Sequence, residues 1–439
     1  MAMPDSSDAV SYAQAQQPSL PAADSCSGSA VRHDAGLRVT RRVRSSERIP
    51  ALDGVRGVAI LIVMASHLSE QFSFTNHTLG HARAVLFAGW TGVDLFFVLS
   101  GFLITGILLD AKGSHGYFRN FYARRTLRIF PLYYVTLLIF LVIAPAIAPR
   151  HGGWQPLHYP LARHCWIWFC AYLTDVLVAW KGFLIGGHFW TLAVEEHFYL
   201  VWPFLVYRLS SRGLAWACLV LILAATVLRA GLSLGGVSTT AIYVLTPCRM
   251  DGLALGAFLA IAVRQPEGLR TLLRVARMVC PLAAVLWVGI MLWDHGWIQY
   301  GLVPQTLGYA VTEVFYGCLL VFTLAWKNLA DAMAAAPLRF LGKISYALYV
   351  FHPFVVFLLA PAFALGAVDH ASAVSVWLGH LFGGTAGLPV LVLDGLVFVV
   401  LATGLSVGAA VVSWYALEAP CLRLRRLFPY TKRSAPAIA

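Results

Sequence analysis

Eight ionisable side chains stand inside stretches that are otherwise apolar: Arg56, His67, Asp94, Glu195, Glu196, Arg249, Asp251 and Glu313. A charge in hydrocarbon costs on the order of 2.5–3.5 kcal/mol on insertion scales, so such residues serve a function or pair inside a bundle. One alone reads equally as a structural ion pair. So many together imply a polar cavity. His67 has the most direct chemistry, because a neutral imidazole is a suitable base for a hydroxyl. Asp53, Arg56 and His67 share one helical stripe, with Arg56 and His67 eleven residues apart. That is about three turns and roughly 16 Å along the axis, which puts Arg56 near the inner face and His67 deep toward the outer one. The plain alternative for His67 is a buried ring hydrogen-bonded to a neighbouring helix.

Other segments add polar groups at helical spacing. WTLAVEEHFYLVWP (190–203) begins with Trp190 and puts Thr191, Glu195, Tyr199 and Trp202 on one stripe. Adjacent Glu195 and Glu196 cannot face the same way on a helix, so one of them is structural. GVDLFFVLSGFLIT (92–105) contains Ser100 and shares Asp94, Gly101 and Thr105 on one face, where small residues admit a second helix or a thin ligand. CRMDGLALG (248–256) offers Arg249 and Asp251, and ISYALYVFHP (344–353) offers Ser345, Tyr349 and His352. FYARRTLRIFP (121–131) places Arg124, Arg125 and Arg128 at the inner membrane surface. Guanidinium forks bind phosphate bidentately; a bare cluster also serves as a topology signal or a contact to anionic lipid. No Walker loop, HExxH or GxSxG occurs, so nothing suggests ATP, zinc or a serine nucleophile. The eight cysteines are scattered, and the nearest pair, Cys165 and Cys170, fits neither a CxxC nor a zinc knuckle; no disulfide and no metal is expected.

The elements that must position these groups are membrane helices. Of 439 residues, 59% are hydrophobic and 12% charged, against about a quarter charged in a soluble domain. Net charge is +12, but the basic residues cluster in short loops, the signature of the positive-inside rule, so a nucleic-acid partner is not expected. Residues 1–48 read as a disordered basic tail. Residues 49–420 read as the membrane domain and 421–439 as a basic cytoplasmic tail. Eleven apolar runs are present. If 164–180 crosses, the basic loops fall on both sides. If it is re-entrant or interfacial, all of them fall inside, and its Trp166, Trp168, Trp180 and Asp175 suit that reading. The expectation is an all-α polytopic helical bundle of about ten transmembrane helices in the inner (plasma) membrane, both termini cytoplasmic.

The motifs in order resemble the acyltransferase-3 family of membrane acyltransferases, which modify bacterial surface glycans. The resemblance runs from about residue 49 to 420. It rests on ALDGVRG with Arg56 and His67, GVDLFFVLSGFLIT, Arg125-x-x-Arg128, WTLAVEEHFYLVWP, RMDGLALGAFLA, ISYALYVFH and WYALEAP with Glu418 and Pro420. Departures are Val55 for the usual Leu, His197 where Gln is common, and Pro353 directly after His352. The resemblance implies an O-acyltransferase taking an acyl group from cytosolic acyl-CoA, acetyl-CoA being the expected donor, to a hydroxyl of a carbohydrate or glycolipid acceptor. Arg125 and Arg128, with Arg124, would hold the CoA phosphates. His67 would be the base, Glu195 would orient it and Arg56 or a neighbouring dipole would stabilise the oxyanion; an acyl-histidine route is equally open. Asp94, Ser100, Trp190, Glu196, Arg249, Asp251, Tyr349 and His352 are expected to line the substrate path. A proton-coupled transporter is the competing class, since it too would carry intramembrane Arg, Glu and His.

Overall fold

The computed structural model describes residues 49–72, 86, 88–143, 165–293, 300–363 and 388–432. The expected tail 1–48 lies outside them. Among the described residues the fold is all-α apart from one short two-stranded pairing. In chain order the helices are α1 (Pro50–Ser69), α2 (Gly92–Ala111), α3 (Tyr117–Leu138), α4 (Trp166–Cys170), α5 (Thr174–Lys181), α6 (Trp190–Arg208), α7 (Ser211–Leu234) and α8 (Thr239–Val244). There follow α9 (Thr246–Ala262), α10 (Gly268–Trp293), α11 (Tyr309–Ala325), α12 (Lys327–Met333), α13 (Ala336–Leu359), α14 (Leu388–Ser413) and α15 (Ala419–Arg423). Among the described residues, nine helical segments are long and apolar enough to cross a bilayer. The 19-residue α6 carries Glu195, Glu196 and Arg208 and falls outside that count.

The part of 164–180 that is described forms α4 and α5, broken at Tyr172, where φ is +56°. The eight residues of α5 rise about 12 Å, too short for a hydrocarbon core of about 30 Å. Asp175 is buried rather than interfacial. Its carboxylate accepts from the Thr246 N–H and hydroxyl (3.3 and 2.7 Å), capping α9, and the His197 ring bonds the same hydroxyl at 2.7 Å.

Backbone proximity decides which helices form the centre. α2 packs along α9, and α1 along α13. A Cβ on Gly101 would lie 1.9 Å from the Leu253 carbonyl oxygen, and one on Gly256 equally close to that of Val98. The two helices meet backbone to backbone, which only glycine permits. The span containing α2 is 72% buried, whereas those of α7 and α10 are 17% buried and turn their leucines, valines and Trp216 outward.

The basic segment 121–131 is helical, with Arg124, Arg125 and Arg128 in the third and fourth turns of α3. The described part of the C-terminal tail docks against this helix. Ser114–His115 pairs antiparallel with Thr431–Lys432, and Asn120 donates to the Pro429 carbonyl at 2.7 Å.

Candidate active site

A cavity of about 750 Å³, counted out to its open mouth, lies between α1, α2, α3, α6 and α13. One end is cationic, with Arg56, Arg125 and Arg128 in its wall. Arg56 lies 3.6 Å from Asp53, and the Arg125 guanidinium stacks over the Tyr199 ring at 3.9 Å. The Nε atoms of Arg124 and Arg125 are buried without a hydrogen-bond partner. A guanidinium has five N–H donors in a fixed fork and no acceptor, so this end is equipped to receive an anion. Arg124 stands beside the wall rather than in it, with its guanidinium 5.0 Å from the Tyr430 ring centroid.

The middle of the cavity is walled by the stripe expected on α6. Thr191, Glu195 and Tyr199 all line it, four residues apart on one face. The Tyr199 hydroxyl is hydrogen-bonded to Ser100, and Trp202 donates to Thr105 at 2.8 Å. Glu196 faces away, its Oε1 without a hydrogen-bond partner. Of the two adjacent acids, Glu195 is therefore the one available to a ligand.

The far end is closed by hydroxyls. Tyr349 donates to the His188 carbonyl at 2.5 Å, so Thr191, also 2.5 Å away, donates in turn to the Tyr349 oxygen. One turn beyond Tyr349, His352 Nδ1 lies 2.7 Å from the Leu348 carbonyl oxygen. A carbonyl only accepts, so Nδ1 carries a proton, and in a neutral ring Nε2 keeps its lone pair. That Nε2 is 2.9 Å from His67 Nδ1. His67 therefore donates through Nδ1, and its own Nε2 is left as a bare lone pair. Pro353, next in the chain, offers no N–H to the Tyr349 carbonyl, so the helical ladder is open beside His352.

The structure thus brings His67 and His352 together and separates both from Arg56. Arg56 groups with Arg125 and Arg128, roughly 16 Å below His67 along α1. An oxyanion role for Arg56 beside His67 is not supported by this spacing. The ring that His67 Nδ1 bonds is that of His352 rather than the Glu195 carboxylate.

Three other expected lining residues, Asp94, Arg249 and Asp251, belong to a buried ion cluster instead. Arg249 pairs with Asp94, and Arg229 pairs with Asp251 at 2.6 Å, every one of these side chains fully buried. Glu313 joins them, its Oε1 packed against Gly252. Trp190 forms part of the aromatic wall around Arg249, at 5.9 Å, alongside Tyr309 at 4.3 Å. The physical reason is desolvation: opposite charges buried on facing helices pair with one another, while Arg249 Nε and Nη1 and Glu313 Oε1 keep no hydrogen-bond partner. Sequence reasoning missed Arg229 and His188. An arginine in the otherwise apolar run 213–234 was a usable signal for the first. Nothing in the local sequence marks His188, which acts through its backbone carbonyl. Among the described residues no group of His, Cys, Asp and Glu is arranged to hold a metal ion.

A helical membrane bundle with an arginine-lined cavity running towards a histidine pair is the frame into which known proteins can be placed. A family model described as an acyltransferase domain matches residues 49–415. The chain belongs to this family, the acyltransferase-3 family of membrane acyltransferases. It is 30% identical to YrhL of Bacillus subtilis strain 168 over 349 residues, covering 72% of this chain and 50% of that protein. It is 26% identical to the peptidoglycan O-acetyltransferase OatA of Listeria monocytogenes, covering 74% and 51%, and 25% identical to the O-acetyltransferase OatA of Staphylococcus aureus, covering 72% and 52%. The chain spans about half the length of the curated relatives it matches. No solved structure matches it.

Proposed function

We propose that this multi-pass membrane protein is an O-acyltransferase that moves an acetyl group from cytosolic acetyl-CoA to a hydroxyl of a cell-surface carbohydrate. The observation that carries the reading is the cavity itself: three arginines at its open end, and at its closed end the Tyr349–Thr191 contact with the His67–His352 pair behind it. CoA is a polyanion with a long thin pantetheine arm. Arg125 and Arg128 suit its phosphates, and the arm would run past Ser100, Glu195 and Tyr199 towards Tyr349. Tyr349 would have to swing aside for the thioester to meet His67. The carbohydrate acceptor is suggested by the relatives, of which two are named for peptidoglycan.

In this reading His67 Nε2 takes the proton of the acceptor hydroxyl as its oxygen attacks the thioester carbonyl. The tetrahedral adduct collapses, the C–S bond breaks, and CoA leaves as a thiolate that takes up the proton from the imidazolium. His352 accepts from His67 Nδ1 throughout, so the basic nitrogen faces the substrate as the orienting acid does in a triad. Against the transporter reading, Arg249 is paired with Asp94 and Arg229 with Asp251 in buried ion pairs, which leaves fewer intramembrane charges for a transport path. Purified protein given labelled acetyl-CoA should release CoA and label a carbohydrate acceptor. Solute uptake by reconstituted vesicles without acetyl-CoA turnover would contradict the proposal.

A further inference from the structure

The C-terminal segment carries basic residues that the cavity does not account for. Residues 424–432 lie beyond the 49–415 matched by the family, yet they are pinned along the first turns of α3. Arg425 donates to the Arg124 carbonyl at 3.2 Å, and Arg124 lies 3.5 Å from the Arg425 carbonyl oxygen. Asn120 holds Pro429, the Tyr430 ring lies beneath the Arg124 guanidinium, and the strand pairing of Ser114 with Lys432 closes the strap. The strap sets Arg425 in the field of Arg128, Arg125, Arg124 and Arg56. Five guanidiniums thus gather at this end of the bundle, Arg56, Arg125 and Arg128 in the cavity wall and Arg124 and Arg425 beside it. Arg56 lies beside Asp53, and Arg128 interacts electrostatically with Glu418. Like charges this close repel, and the Nε atoms of Arg124, Arg125 and Arg425 are each buried with no hydrogen-bond partner. Such an arrangement is complete only with a multiply charged anion between the forks.

We propose that Arg425 is a nucleotide-phosphate ligand, and that the C-terminal strap forms the outer half of the donor site while Arg125 and Arg128 form the inner half. The inference rests on the acyl-CoA reading above. The ligand class is a nucleotide bearing several phosphates, because the guanidiniums are spread along α3 rather than focused on one point. Arg124 and Arg425, bonded to each other's backbone, stand beside the wall that Arg125 and Arg128 line, and Arg128 lies about one turn along α3 from Arg124. A phosphate headgroup of an anionic lipid has the same chemistry and is the other possible source.

Full-length protein in detergent should be titrated with CoA and with adenosine 3′,5′-bisphosphate, which lacks the pantetheine arm. Arg425→Gln should weaken both by about tenfold and flatten the salt dependence, while the exposed neighbour Arg426→Gln leaves both unchanged. Binding to phosphatidylglycerol vesicles should be alike in all three proteins. If wild type binds CoA and Arg425→Gln binds it within twofold, the strap is not part of the site, and the donor reading stands without it. If only vesicle binding falls, Arg425 is a lipid contact and the inference is overturned. If wild type binds neither nucleotide, the donor reading itself fails. Should Arg425→Gln not fold, Arg425→Lys keeps the charge and loses the fork; it should bind CoA several-fold more weakly, and equal affinity would overturn the inference.

Discussion

His67 owes its bare Nε2 to two acceptors in series, the Leu348 carbonyl behind His352 and the His352 ring behind His67. Its candidacy was legible in the sequence, from a titratable ring inside an apolar run. Its partner was not, because 285 residues separate the two histidines and only tertiary packing joins them. Two substitutions separate the roles. His67→Asn keeps polarity and rough size but cannot take the proton; acetyl transfer should fall by about 10² to 10⁴, with CoA binding intact. His352→Phe should leave His67 present but free to adopt the other tautomer. Steady-state kinetics should show a lower kcat with an unchanged KM for acetyl-CoA, and a smaller loss than in His67→Asn. Equal rates in His352→Phe and wild type would make the pair a packing contact.

The helices were legible as apolar runs, but their ends were not. α3 starts at Tyr117 where the run starts near 129, and α10 starts at Gly268 where its run starts near 278. Hydropathy sees only the stretch in hydrocarbon. The helix continues through the headgroup region, where arginine keeps good helix propensity and extends its charge to water. The same blindness affects the interior charges, since a sequence does not say whether an acid faces a cavity or an arginine on the next helix. Arg249→Met should strand Asp94 and destabilise the bundle by about 3–5 kcal/mol, read as a lowered unfolding temperature in detergent. Adding Asp94→Leu should recover much of the loss. If Arg249→Met is neutral, the network is not what holds α2 to α9. Gly101→Leu tests the other half of that contact. With the Leu253 carbonyl in the way, the helices must part, and about 1–3 kcal/mol should be lost.

Across the whole molecule, one end of the bundle is basic. Asp110 at the end of α2 pairs with Arg264 just past α9 at 3.2 Å, and Lys112 bonds the last carbonyls of α6. The start of α1 meets the start of α13, where the Asp53 carbonyl abuts Gly342. Those shared ends hold the loops that charge parity assigns to the cytoplasm, so Arg119→Cys and Arg270→Cys should react with an impermeant maleimide from the same side. The cavity opens among the arginines of this end, and the histidine pair lies towards the other. Donor and acceptor should therefore arrive from opposite faces. The most direct test is acetyl transfer in proteoliposomes of fixed orientation, with labelled acetyl-CoA supplied on one side and a peptidoglycan fragment on the other. Labelled carbohydrate is expected only when acetyl-CoA is on the side where Arg119→Cys is reactive, and none with His67→Asn. Equal labelling from either side, or undiminished transfer by His67→Asn, would contradict this mechanism.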